Sequence, residues 1–378
     1  MLYLKRRNKC YLIDRTNLNK KTMTKSNDNN LSLLTSYLSS KNYKLNEPLA
    51  KYTTVGIGGP ADILFTATTK EDLINTIIKA RELEIPITIL GGGSNVLISD
   101  KGIRGLTIRM QMNDIQIENA RTEKTSEKET KKFVARWEAD SKTGTLQYEF
   151  ADLDYDESDK KRISVTLSAG TNLQYAIRYL IEQGMTGLQW YSYIPGTIGG
   201  AVYNNLHGGT HFIGEVIEEV EVLTPNNKVK KLTAQELKND YDKSRFHDSK
   251  EIILSAKFKL FKGDTKKATY VVNEWASRKA KQQPMNSTGC IFINITQEQK
   301  EKLGYPTTSA GYIIEHPLKM TGFRIGDAMI ATTHHNFIVN MGKATAKDYL
   351  AVIKEIQKRS KKEVGIELIP EIVMLGEF

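Results

Sequence analysis

The chain of 378 residues exceeds a typical single domain, and 39% hydrophobic with 26% charged residues is ordinary globular chemistry, which excludes wholesale disorder. Lys+Arg 54 against Asp+Glu 44 gives +10, a balance that suits anionic small molecules as well as nucleic acid and selects neither. Cys10 and Cys290 are too few for a disulfide framework or a four-thiolate zinc site, and no apolar run reaches the roughly 18 residues of a membrane span. With no secretory leader pattern at the N-terminus either, a cytoplasmic protein without a membrane partner is expected.

Residues 1–45 are rich in Lys, Arg, Asn and Ser, with no glycine before Gly56. Poor apolar spacing argues against a targeting presequence, so a solvated, poorly ordered extension is expected, with Met23 as a second candidate start. From Asn46 strands and helices alternate. Ala61–Thr66 reads as a strand, and Thr69 and Asp72 have capping-box spacing ahead of a helix that must stop before Pro86. Ile87–Leu90 reads as a buried strand, and another follows from Val96. Residues 115–162 turn highly charged, with Trp137, Tyr148 and Phe150 scattered through them, and read as a long hairpin hung on a surface loop.

Order resumes with a strand at Ile163–Ala169 and a helix capped by Thr171 and ended by Gly184. Val216–Leu223 and Val229–Leu232 flank Pro225-Asn226-Asn227 as a hairpin, and Ile252–Leu260 alternates as a half-buried strand does. A helix near Ala268–Ala280 and a last long helix from Thr345, closed by Lys358, Arg359, Lys361 and Lys362, complete an α+β pattern.

Three glycine loops carry the chemistry: Gly56–Ala61, Gly91–Asn95 and Gly196–Ala201. The first matches a dinucleotide fingerprint in letters only, because no strong strand precedes it and Pro60 sits where a helix would open. Each alone reads as a tight turn. Together they offer main-chain amides to a phosphate-bearing cofactor. No lysine follows them in P-loop spacing, and Gly208-Gly209 between His207 and His211 precludes a helical metal pair, so no metal site is expected. Cys290 follows the small residues Ser287-Thr288-Gly289 and leads into an apolar run, so it is either inert core or a thiol facing a cleft.

The runs NEPLAKYTTVGIGGPADILF, LGGGSNVLISDKGIRGLTIRM, GLQWYSYIPGTIGGAVYNN, STGCIFIN, SAGYIIEHPLKMTGFRIGDA with HHNFIVNMGKATAKD, and IELIPEIVMLGE resemble, in order, the UDP-N-acetylenolpyruvoylglucosamine reductase family. The likeness spans Asn46 to the C-terminus apart from the charged insertion. It implies a flavin-binding domain of the vanillyl-alcohol-oxidase (PCMH) type over 46–262 and a smaller C-terminal α/β substrate domain over 263–378. The spacing from Tyr241 to Cys290 and Gly311 is that of the subtype without an extra substrate-domain insertion.

The resemblance further implies FAD as cofactor and NADPH as hydride donor, reducing the enolpyruvyl ether of a UDP-sugar to UDP-N-acetylmuramate for peptidoglycan precursors. A monomer is the expected state, with no nucleic-acid partner. FAD contacts are expected at Gly56, Gly58, Gly59, Gly91, Gly92, Gly93, Ser94, Asn95, Pro195, Gly196, Gly199 and Gly200. Cys290 falls at the proton-donor position, Glu371 at the catalytic glutamate, and Tyr241, Ser244 and Asn294 at substrate contacts. One departure stands out: Asp242 occupies the place where the family carries an arginine, and Arg245 is expected to supply the guanidinium instead. Two other readings compete. One is an alcohol or sugar oxidase on the same flavin fold; the other is a basic nucleic-acid-binding protein, for which no RNP or zinc pattern speaks.

Overall fold

A computed structural model describes residues 20–118 and 151–378, with side chains from Asn29 onward. The charged hairpin expected around Trp137, Tyr148 and Phe150 lies outside the described residues, as do residues 1–19. Two sheets build the larger part. In the first, β1 (Tyr43–Pro48), β2 (Pro60–Ala67), β3 (Ile87–Leu90) and β5 (Ile103–Met110) lie in the order β1-β2-β5-β3. β5 is parallel to both β2 and β3, which requires a crossover, and α2 (Lys70–Glu82) provides it. The helix opens where Thr69 Oγ1 accepts from the Asp72 amide (3.1 Å) and ends ahead of Pro86. Pro60, which spoils a helix after the first glycine loop, instead begins β2.

The second sheet is antiparallel, in the order β11 (Val229–Thr233), β10 (Ile217–Leu223), β12 (Ile252–Phe261), β7 (Arg162–Ser168), β6 (Ile115–Ile117). Along β12 every second side chain (Leu254, Ala256, Phe258, Leu260) is buried, as the alternation required. β6 pairs with β7, so the two described flanks of the insertion are neighbouring strands. The following helix, α3 (Leu173–Glu182), is capped by Asn172, whose Oδ1 accepts from the Tyr175 amide (2.9 Å), and not by Thr171. The last glycine loop passes directly into α4 (Ile198–Tyr203).

A second core forms around β13 (Arg324–Ile325), β14 (Ala328–Ile330) and β15 (Ile338–Asn340), covered by α6 (Gln297–Leu303), α7 (Ala310–Glu315) and α8 (Ala346–Arg359). α8 begins with the reciprocal Thr345–Asp348 box, and the amides of Ala346 and Lys347 rest on the Asp100 carboxylate at 2.7 and 3.0 Å. The chain then returns: β16 (Val373–Leu375) runs parallel to β4 (Val96–Ile98) of the larger domain. The helix α5 (Thr265–Gln282) buries Val271, Val272 and Trp275 in the first core, so the domain boundary falls after it and not at 262/263.

The N-terminal expectation also needs correction. α1 (Lys20–Tyr37) lays Leu31 and Leu34, with Leu38 just past its end, on the first core, and Asn30 Nδ2 donates to the Leu83 carbonyl (3.0 Å). The polar composition concealed three leucines at helical spacing. Leu34 is fully buried. Its replacement by Ala is expected to cost about 2–3 kcal/mol, in the lower part of the Leu→Ala range because a peripheral helix can settle. Chemical denaturation of the two proteins checks this, and an unchanged midpoint would mean that α1 is not docked.

Candidate active site

The three glycine loops converge. Thr54 donates its amide to the Gly93 carbonyl (3.0 Å), and Ser94 Oγ donates to the Pro195 carbonyl (2.8 Å). A Cβ on Gly92 would stand 2.7 Å from the Gly196 Cα, and one on Gly93, whose φ is +65°, would overlap the Tyr52 carbonyl. Only glycine permits this approach. The amides of Gly92, Gly93, Ser94 and Asn95 find no protein acceptor among the described residues, and four successive N–H groups around a left-handed residue suit a phosphate. The residues therefore fit a pyrophosphate-bearing cofactor. In the outer loops Gly56, Gly59 and Gly199 give their amides to the carbonyls of Thr53, Ser99 and Ala169, and the Gly200 amide caps onto Thr197. Gly58 holds a φ of +156° against the Leu49–Ala50 backbone.

A cluster of titratable side chains lies one short segment away. Thr54 Oγ1 donates to the Ser287 carbonyl (2.7 Å), three residues before Cys290, and Asn340 Nδ2 donates to the Val55 carbonyl (3.0 Å). The strand-like run after Cys290 is held on both sides. Ile291 donates to the Asn336 carbonyl (2.8 Å), and the Glu371 amide donates to the Ile291 carbonyl (2.8 Å). That ladder sets Glu371 beside Cys290. Before Cys290, Gly289 is left-handed (φ +82°) with no neighbour within 4 Å of its Cβ position, and Cys290 itself is half-buried.

From the larger domain come His207 on the two-residue strand β8 (His207–Gly208), paired with β9 (His211–Phe212), and Tyr241 and Asp242 at the tip of a tight turn. His207 Nε2 stands 3.7 Å from Asp242 Oδ1, and its ring lies 5.0 Å from that of Tyr241. Lys279, in the last turn of α5, is buried with its ammonium 5.2 Å from the Trp275 ring centre.

Burial governs the protonation of the cluster. It pushes the Cys290 thiol far above its usual range, with the Glu371 and Asp242 carboxyls adding to the rise and Lys279 and a hydrogen bond with Asn336 opposing it. Burial raises Asp242 to about 7 and holds Glu371 well above the usual carboxylate range, the latter with help from Asp242. His207 is lowered to about 4 by burial and then by the Lys279 charge, so it is neutral at pH 7. Burial lowers Lys279 to about 8, against the pull of Cys290. At neutral pH the cluster thus holds a protonated thiol, at least one protonated carboxyl and a cation.

The structure brings Cys290, Glu371, Tyr241 and Asp242 together, and Tyr241 feels the charges of the other three. It does not bring in Arg245. That guanidinium grips Glu251 through Nε and Nη2 (2.9 and 3.0 Å) and donates Nη1 to the Glu236 carbonyl (3.0 Å). A short helix beginning at Arg245 turns the side chain toward this half-buried acid. Ser244 Oγ donates to the Tyr203 carbonyl (2.5 Å), and Asn294 Oδ1 accepts the Ala310 amide at the start of α7 (3.2 Å), so both already serve the backbone. Lys279, His207 and Asn336 were not foreseen. His211 does not join His207; it stacks on Trp190 at 4.1 Å and meets Asp154 at 3.1 Å. Among the described residues no His, Cys, Asp and Glu group could hold a metal, and no helix is long and apolar enough to cross a membrane.

A glycine cradle for a phosphate-bearing cofactor, with a proton-holding cluster drawn from both domains at its edge, defines a cofactor-dependent oxidoreductase of the flavin-binding α+β class. The comparisons make the class specific. Residues 60–127 and 137–233 match the FAD binding domain, and residues 280–375 match the UDP-N-acetylenolpyruvoylglucosamine reductase C-terminal domain. The reductase of that name from Caldanaerobacter subterraneus subsp. tengcongensis is 33% identical over 335 residues, 88% of this chain and 93% of the relative. The one from Pediococcus pentosaceus is 32% identical over 334 residues, with the same coverage. The crystal structure of the Thermus caldophilus enzyme, at 27% identity, superposes with a TM-score of 0.63 over 88% of this chain and 98% of that one. The chain belongs to the UDP-N-acetylenolpyruvoylglucosamine reductase family.

Proposed function

We propose that the protein reduces the enolpyruvyl ether of UDP-N-acetylglucosamine to UDP-N-acetylmuramate with NADPH, a step of peptidoglycan precursor synthesis, and that Cys290 is its proton donor. One observation carries the assignment of roles: a protonated thiol, a protonated carboxyl and a buried cation meet beside the glycine cradle. The amides of Gly92, Gly93, Ser94 and Asn95 would hold FAD, which would supply hydride transfer between NADPH and substrate.

Addition of hydride to the methylene carbon of an enol ether drives electrons toward the adjacent carboxylate. The resulting enolate-like charge needs a positive neighbour, and Lys279 is the cation placed to give it. The neighbouring carbon then needs a proton. Cys290 keeps its proton at any physiological pH, and a carbanionic centre is basic enough to take it. Glu371, also protonated, hydrogen-bonds to the developing anion without adding repulsion. Tyr241 walls the pocket between His207 and Phe212.

The test is anaerobic. Purified holoprotein bleached by NADPH should recover its flavin absorbance when the UDP-linked enolpyruvyl ether is added, with one equivalent of product formed. Recovery only on admission of oxygen, with no product, would favour the oxidase reading instead.

A further inference from the structure

Asp242 has a use beyond the roles given above. It sits in a turn closed by reciprocal bonds, the Asp240 amide to the Lys243 carbonyl (2.8 Å) and the Lys243 amide to the Asp240 carbonyl (3.3 Å). Its φ is +45°, a left-handed conformation that a non-glycine residue adopts at a cost. The strained turn puts the carboxyl inward, where Oδ2 is buried and meets no hydrogen-bond partner among the described residues, while Oδ1 is 3.7 Å from His207. An acceptor oxygen left in this state is unfavourable unless a ligand group meets it. The charge of Asp242 reaches a second acid, Glu371, from the other domain.

We propose that Asp242 is a substrate-binding acid, which together with Glu371 receives the carboxylate of the enolpyruvyl group through a shared proton, so that substrate binding takes up a proton. This rests on the reading of the substrate given above. Three carboxyl groups brought together out of water cannot all be charged. A protonated Asp242 turns its unpartnered oxygen into a donor toward the incoming anion.

The groups facing Asp242 separate cleanly by pH. His207 titrates near 4, and Cys290 and Tyr241 far above neutrality, so none of them changes charge around pH 7. Burial and the Asp242 charge hold Glu371 well above the usual carboxylate range, and Lys279 loses its charge at about 8. Asp242, raised to about 7, binds the anion in its protonated form, so its contribution is complete at low pH and is lost as pH rises through 7.

The experiment is calorimetric titration of UDP-N-acetylglucosamine enolpyruvate into the oxidised holoenzyme, in buffers of different ionisation heat. Between about pH 6 and about pH 8 the wild-type Kd should rise roughly tenfold from Asp242 and roughly twofold more from Lys279. Proton uptake should exceed half a proton near about pH 7.5. The isosteric Asp242→Asn should keep only the roughly twofold rise due to Lys279 and lose most of the uptake. A flat wild-type Kd without uptake, or the full pH dependence retained in Asp242→Asn, would overturn the inference. The wild-type proton count alone decides it should the variant fail to fold. Absence of binding at every pH would instead sink the reading of the substrate, and this inference with it.

Discussion

Cys290→Ala is expected to keep its FAD and its rate of reduction by NADPH, while the half-reaction with the enolpyruvyl substrate slows by about 10²–10⁴, the span of a lost general acid. That corresponds to about 3–5 kcal/mol of barrier. The reason is local. The thiol is held at its proton by burial and by two nearby carboxyls, and the ladder from Ile291 to Asn336 and Glu371 fixes its direction. Alanine removes the proton and leaves the ladder intact. Cys290→Ser should restore much of the rate, because a hydroxyl also keeps its proton at neutral pH and fills nearly the same volume. Stopped-flow traces of flavin bleaching and recovery separate the two half-reactions. If Cys290 were only a packing residue against Ala331, Phe337 and Val339, both half-reactions would survive in the Ala variant and only stability would fall.

The parts of this site that the sequence disclosed are those whose constraint is local. Thr69, Thr345 and Pro86 announce helix ends because capping and ring closure act within a few residues. Glu371 was reached only by its resemblance to a family motif, while the run Ser287-Thr288-Gly289 before Cys290 left that thiol open between core and cleft. Lys279 could not be read, because nothing in Ser277-Arg278-Lys279-Ala280 says which basic residue is buried. Arg278 points out to Asp152 while Lys279, one residue on and about 100° around the helix, turns in against Trp275. Arg245 failed for a related reason. Its separation from Asp242 is small in sequence, but the pocket is made by a turn, and the residues after it wind into a helix that offers Arg245 to Glu251. The helix α1 was legible in principle from Leu31, Leu34 and Leu38, and was masked by the polar residues between them.

Gly92→Ala is expected to yield folded protein largely without flavin, with FAD affinity reduced about 10- to 100-fold. The added methyl would stand 2.7 Å from the Gly196 Cα and 3.2 Å from its carbonyl carbon, well inside van der Waals contact. Both partners are backbone, so neither can swing aside as a long side chain would. The loops must part by several tenths of an ångström, a strain of about 1–3 kcal/mol for one surplus methyl in a tight contact. Relieving that strain requires the 91–95 loop to shift against its ties, the Ser94–Pro195 bond and Thr54 on Gly93. The shift moves the very amides, Gly92 to Asn95, that are aimed together at the phosphates. Loss of their alignment at this cost converts to the stated drop in affinity at about 1.4 kcal/mol per tenfold. Fluorescence titration of FAD into deflavinated wild type and variant measures it directly, and melting of the two apoproteins controls for folding. Equal affinities, with the variant's apoprotein as stable as wild type, would mean that the cofactor is held by some other part of the chain.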